Sequence, residues 1–133
     1  MSRTVLIVLV CLAAVAAVGA GTYAYTRGTA TPDAVRQAVP APIDRVEVLV
    51  QGSSATAKIS AGLPSGCAKV DSHSLKRSGD TFTVTVLNSM PTGSPICTAV
   101  YGMYELSVDL GNDLRPGTTY TLVVNDKTSQ FKT

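Results

Sequence analysis

Between Thr81 and Val86 every second residue is apolar, with Phe82, Val84 and Val86 alternating against Thr81, Thr83 and Thr85. A two-residue period is the signature of a strand that buries one face. The same period governs most of the chain after Pro42. Val46, Val48 and Val50 alternate with Arg45, Glu47 and Gln51, and only Leu49 is out of phase. Beyond Gly52-Ser53-Ser54, residues Ala55, Ala57, Ile59, Ala61 and Leu63 share one face while Thr56, Lys58 and Ser60 share the other, up to Pro64-Ser65-Gly66. These two runs are expected to form a hairpin. Lys69 to Lys76 keeps no period, and reads as a bulged or edge strand. Ser78-Gly79-Asp80 is a turn, and Asn88 to Pro95 is a loop rich in Pro and Gly. From Thr98 to Leu110 the pattern resumes, with Tyr104, Leu106, Val108 and Leu110 opposing Glu105, Ser107 and Asp109 and Gly102 marking a bend.

The chain starts differently. Arg3 is followed by an apolar stretch from Val5 to Gly21 that continues to Tyr25 without a charge. A spanning helix needs about 20 apolar residues and a cleavable signal about 7 to 15. Residues 1–25 therefore read as an uncleaved membrane anchor or, alternatively, a signal peptide cut near Ala20 or Ala24. Tyr23 and Tyr25 at the outer end favour the anchor, since their rings suit the boundary between lipid and water. Arg3 and the amino terminus favour an internal N-terminus, which leaves the C-terminal domain outside the cytoplasm on a single pass, or secreted if the segment is removed. Cys11 is a poor match to a lipid-modified cysteine, because Val10 precedes it, and fits better as a small apolar residue in a membrane helix. Residues 26–42 form a linker rich in Pro, Ala and Thr, in which Thr31-Pro32-Asp33 could open a short helical turn through Gln37 before Pro40 and Pro42 end it. The folded domain is expected over residues 43–133.

Charge and motif exclude several roles. The formal net charge is +2, and Arg45, Lys58, Lys69, Lys76, Arg77, Arg115, Lys127 and Lys132 are scattered, so no nucleic-acid partner is expected. His73 is the only histidine, and its neighbours Asp71, Ser72 and Ser74 alternate faces on a strand and cannot make a triad by themselves. No nucleophile elbow, zinc-helix motif or phosphate-cradling loop is present, so the chain is expected to be no enzyme and to need no cofactor. Cys67, His73, Met90, Cys97 and Met103 could in principle hold a soft metal, and Asp109, Asn112, Asp113, Asn125 and Asp126 could hold Ca²⁺. The plainer readings are a disulfide for the cysteines and turn formation for the Asn and Asp residues. Cys67 and Cys97 each fall at a turn-to-strand junction of an exported domain, where thiols tend to oxidise. Two buried free thiols are the alternative to a bridge between them.

The run Leu114-Arg115-Pro116-Gly117-Thr118-Thr119-Tyr120 resembles the tyrosine corner of fibronectin type III and immunoglobulin-like domains. There a tyrosine hydroxyl, here that of Tyr120, bonds to backbone a few residues upstream, and a turn at Pro116-Gly117 carries the chain between sheets. The buried Trp and the Cys spacing of antibody-type domains are absent. About seven strands at the spacing of turn signals give an immunoglobulin-like β-sandwich as the expected fold, with a small closed barrel second. The Gly62-Leu63-Pro64-Ser65-Gly66-Cys67 turn, the Cys97-Thr98-Ala99-Val100-Tyr101-Gly102 segment and the terminal run are also similar to a group of uncharacterised bacterial exported proteins. That likeness implies no activity. The expected role is a binding or structural module at the cell envelope with a protein or glycan ligand, which the Asn88 to Ile96 loop and the Asp71 to Ser74 segment would contact. A small protease-inhibitor-like domain is the alternative.

Overall fold

A computed structural model describes residues 35–93 and 95–133. The anchor or signal segment at 1–25, Cys11 and the linker up to residue 34 lie outside the described residues. Among the described residues no helix is long and apolar enough to cross a membrane.

Eight strands are seen among the described residues: β1 (Arg36–Pro40), β2 (Ile43–Gln51), β3 (Ser54–Leu63), β4 (Lys69–Ser78), β5 (Thr81–Pro91), β6 (Gly102–Gly111), β7 (Thr119–Val124) and β8 (Lys127–Lys132). They form two sheets. One has the order β2-β3-β6, and the other the order β4-β5-β7-β8, with β1 also bonded to β5. The fold is thus an all-β sandwich, and the two separate sheets exclude the closed barrel.

Three expectations are corrected. Arg36 and Gln37, placed in a helical turn of the linker, pair with Pro91 and Met90 as the first residues of β1. Pro40 ends that strand, where its missing N–H costs the ladder least. The sheet accordingly begins before Ile43. Second, β5 continues through Pro91, so the loop expected from Asn88 starts only at Thr92. Third, immunoglobulin-like sheets are antiparallel, whereas β5 and β7 pair in parallel, from Thr81↔Thr121 to Val84↔Val124. Parallel neighbours need a crossover connection, and here the chain makes it by passing through β6 in the opposite sheet.

The core follows the period-two faces. Ala55, Ala57, Ile59 and Ala61 of β3 lie against Phe82, Val84 and Val86 of β5 and Tyr120, Leu122 and Val124 of β7, all buried. The small alanines of β3 leave room for the aromatic rings at one end. There Phe82, Tyr120 and Phe131 cluster with centroids 5.5 to 6.1 Å apart. Arg77 stacks its guanidinium 5.0 Å from the Phe82 centroid and donates two bonds to the Asp113 carboxylate, at 2.9 and 3.0 Å. At the same end the Arg115 N–H donates to the Tyr120 hydroxyl oxygen at 2.9 Å, Leu114 is buried, and Gly117 supplies the left-handed turn, with φ at 73°.

Candidate binding surface

The opposite end is built by the turn after β3 and the long segment after β5. Cys67 and Cys97 are joined in a disulfide, Cα atoms 5.4 Å apart. Closing a loop across a separation of 30 residues stabilises the fold by roughly 3 to 4 kcal/mol in the chain-entropy model. The soft-metal alternative is thereby closed, because both thiolates are consumed.

Residues 95–101 adopt no strand, yet they are held at several points. The Gly66 N–H donates to the Thr98 carbonyl at 3.0 Å. A Cβ at Gly66 would overlap the Thr98 hydroxyl, and one at Gly62 would overlap the Tyr101 ring. Glycine at these two positions is what lets the segment lie flat across the end of β3. The Tyr101 hydroxyl donates to both carboxylate oxygens of Asp44, at 3.0 and 2.9 Å. This bond, with some burial and the nearby negative charge, raises the Tyr101 pKa above 10.0. β1 is tied into the same end. Arg36 donates to the Ser89 hydroxyl, the Ser89 carbonyl and the Cys67 carbonyl, each at 2.7 Å, and the Thr92 N–H reaches the Val35 carbonyl at 2.7 Å.

The result is a braced surface that is mostly apolar. Ile96 is fully exposed, and Val100, Tyr101 and Met103 are exposed by half or more. Single exposed apolar residues are normal, whereas here several fall within the stretch 96–103 on one end, which makes that end the candidate binding surface.

Residues 57–133, more than half of the chain, match the ORF11 beta-sandwich domain. The chain belongs to this family. Curated proteins and solved structures gave no match. The ORF11 domain match takes in both bridged cysteines, both crowded glycines and the whole segment 95–101, whereas Arg36, which holds the Cys67 carbonyl from β1, and Asp44, which holds Tyr101 from the start of β2, lie before it.

Other residues singled out in the sequence are dispersed. Among the described residues no group of three or more His, Cys, Asp or Glu side chains could hold a metal ion. Asp109 accepts from the Gly111 N–H at 2.9 Å, Asp113 takes the Arg77 guanidinium, and Asn125 bonds to backbone. His73 is exposed on β4, and beside it Ser72 donates to Asp71 at 2.9 Å. Asn88 is no loop residue. It is fully buried, donating to the Gly62 carbonyl at 2.7 Å and accepting from the Tyr104 hydroxyl at 2.8 Å, so it links β5 to both β3 and β6.

The Tyr101 contact yields a titration prediction. A phenol whose pKa is higher folded than unfolded contributes stability in full below the ordinary tyrosine value, and loses it as pH rises through the folded value. The contact should therefore hold at neutral pH and be lost as Tyr101 ionises in alkali. Gly62→Ala should displace the ring and return Tyr101 to ordinary titration with little change in fold, as read by ultraviolet difference spectra against pH. A wild-type Tyr101 ionising at the same pH as the variant would show that the Asp44 contact is not made in solution.

Proposed function

We propose that this protein is a non-catalytic binding or structural module of the cell envelope. Its N-terminal apolar segment carries the sandwich outside the cytoplasm, and its disulfide-braced end contacts a protein or glycan. The observation that supports this reading most is the combination of bracing and exposure in residues 95–101. An irregular segment held by a covalent bond, two crowded glycines and the Tyr101–Asp44 contact is already ordered before binding, so little conformational entropy is lost on contact. A segment that served only to connect β5 to β6 would need neither the bracing nor an exposed Ile96.

Location and contact are tested separately. In a Cys11→Ser background, Ala99→Cys should react with a membrane-impermeant maleimide on intact cells, and labelling only after lysis would overturn the export. For contact, the full chain is bound to isolated cell envelopes. The pair Ile96→Asp and Val100→Asp should weaken retention about tenfold, as expected for the centre of an interface, while Lys127→Glu leaves it unchanged. Equal retention of all three would remove the braced end from consideration.

One observation favours an inhibitor as the second reading: the fully exposed Ile96 directly precedes the bridged Cys97. A tightly held exposed side chain is what a protease pocket accepts. Inhibition of common proteases at nanomolar concentration, abolished by Ile96→Asp, would select it over the envelope module.

A further inference from the structure

The two sheets differ in width. Four strands abreast, β4-β5-β7-β8, face three, β2-β3-β6. β2 packs against β8, and β6 lies across from β5, where the Tyr104 hydroxyl meets Asn88. Among the described residues β4 therefore projects beyond β6 with nothing opposite it, and all ten of its residues are exposed. Its inner face is the continuation of the core face of β5. Val70, His73 and Leu75 stand in register with the buried Asn88, Val86 and Val84. Among the described residues only Arg77 of β4 is anchored across the gap, through Asp113. Under this overhang β6 is an edge strand, bonded to β3 alone among the described residues, and its inward-facing Tyr104 and Leu106 remain only half-buried. The described sandwich thus ends in a step, with β4 above and the free edge of β6 below.

We propose that this step is the interface of a two-fold symmetric dimer, in which a second copy of the chain fits inverted into the first. A two-fold axis parallel to the strands exchanges the two layers. It places β4 of each copy beside β6 of the other, so the three-stranded sheet of one copy continues the wider sheet of its neighbour. β4 and β6 run in the same direction, both passing from the Asn88 end toward the Phe82 end, so the new pairing is parallel. Two such junctions form at once and the assembly closes. Both free edges then gain backbone partners, which removes the hazard that a long exposed edge strand presents. Val70 and Leu75 of the two overhangs cover one another.

Charge selects this pairing over others. The outer face of β4 carries Lys69 and Lys76 with serines between them, and the outer face of β6 carries Glu105 and Asp109. Joining β4 to β4 or β6 to β6 would set like charges side by side, which is unfavourable, while β4 beside β6 sets opposite charges together. The dimer does not depend on the ligand-binding role proposed above.

Position-specific cross-linking of the full chain, in a Cys11→Ser background, tests it. Ser74 lies on the outer face of β4 and Ser107 on the outer face of β6, and within one chain these surfaces point away from each other. Under mild oxidation, Ser74→Cys mixed with Ser107→Cys should give a cross-linked dimer, whereas each variant alone should not. The chain carrying both substitutions should stop at the dimer. Lys76→Glu should lower the cross-linked yield about 2- to 5-fold, as for an exposed ion pair, and adding Asp109→Lys should recover it. No cross-link in the mixture, cross-linking of either variant with itself, or a ladder of higher species would overturn the proposal.

Discussion

Replacing Asn125 by alanine is expected to lower the unfolding free energy by about 3 kcal/mol, from lost hydrogen bonds and a left-handed backbone that alanine resists. β7 ends at Val124 while β1 occupies the further part of the same edge of β5, and Asn125 fills the gap between them. Its side-chain oxygen accepts from the Val86 N–H at 2.9 Å, and its amide donates to the Ala41 carbonyl at 2.8 Å and the Val86 carbonyl at 2.9 Å. Its φ of 49° is the only positive value at a non-glycine among the described residues. Val86 keeps one partner for its carbonyl, the Ala41 N–H at 2.9 Å, but its own N–H would be orphaned. Asn125→Gly relieves the backbone and keeps the loss of bonds, so it should cost about 1 kcal/mol less than alanine. Urea denaturation of the three proteins measures both differences. An alanine variant as stable as the parent would mean that β1 is held to the sheet without Asn125.

Nothing in the local pattern marks Asn125 for this role. Asn-Asp between two apolar runs announces a turn, and it does turn the chain from β7 to β8, but the three bonds join it to residues 39 and 84 positions away. β1 was hidden for the same reason. Its residues, RQAVP, are neither β-branched throughout nor alternating, and what makes them a strand is the unfilled edge of β5 and the anchoring of Arg36 to Ser89 and Cys67. Where burial is one-sided the strands were legible, as in β2, β3, β5 and β6. β4 resisted reading because the overhang exposes both of its faces, so no alternation of apolar residues was imposed on it. Its irregularity is real, since the register slips between Val70 and Ser72.

Asn88 did carry a signal. It continues the series Phe82, Val84, Val86 on the same parity, which puts it on the buried face, and a buried amide must find partners. Those partners, the Gly62 carbonyl and the Tyr104 hydroxyl, sit in the other sheet. The burial of Tyr104 raises its own pKa above 10.0. The braced end was legible only as a pair of cysteines. The crowding of Gly62 and Gly66 by Tyr101 and Thr98 depends on how segment 95–101 crosses β3, which no spacing in the sequence specifies.

The largest single effect is expected from removing the bridge at that end. Cys67→Ala combined with Cys97→Ala should lower stability by roughly 3 to 4 kcal/mol, chiefly because the unfolded chain regains the freedom of a loop of that length. Against the roughly 5 to 15 kcal/mol of a typical domain, that is a large share. The two ends of the molecule should respond unequally. Phe82, Tyr120 and Phe131 pack far from the bridge, so the folded core keeps its contacts. Segment 95–101, by contrast, is left with the Gly66–Thr98 backbone bond and the Tyr101–Asp44 contact, both open to water. Hydrogen exchange should therefore show lost protection at Gly66, near native conditions, well before β5 or β7 is affected. The paired urea curves should shift in midpoint with little change in slope if the core is intact. Equal midpoints with and without the bridge, or Cys67 and Cys97 both reacting as thiols in the unfolded protein before any reductant is added, would show that the disulfide does not form, and the braced surface with its exposed Ile96 would lose its main support.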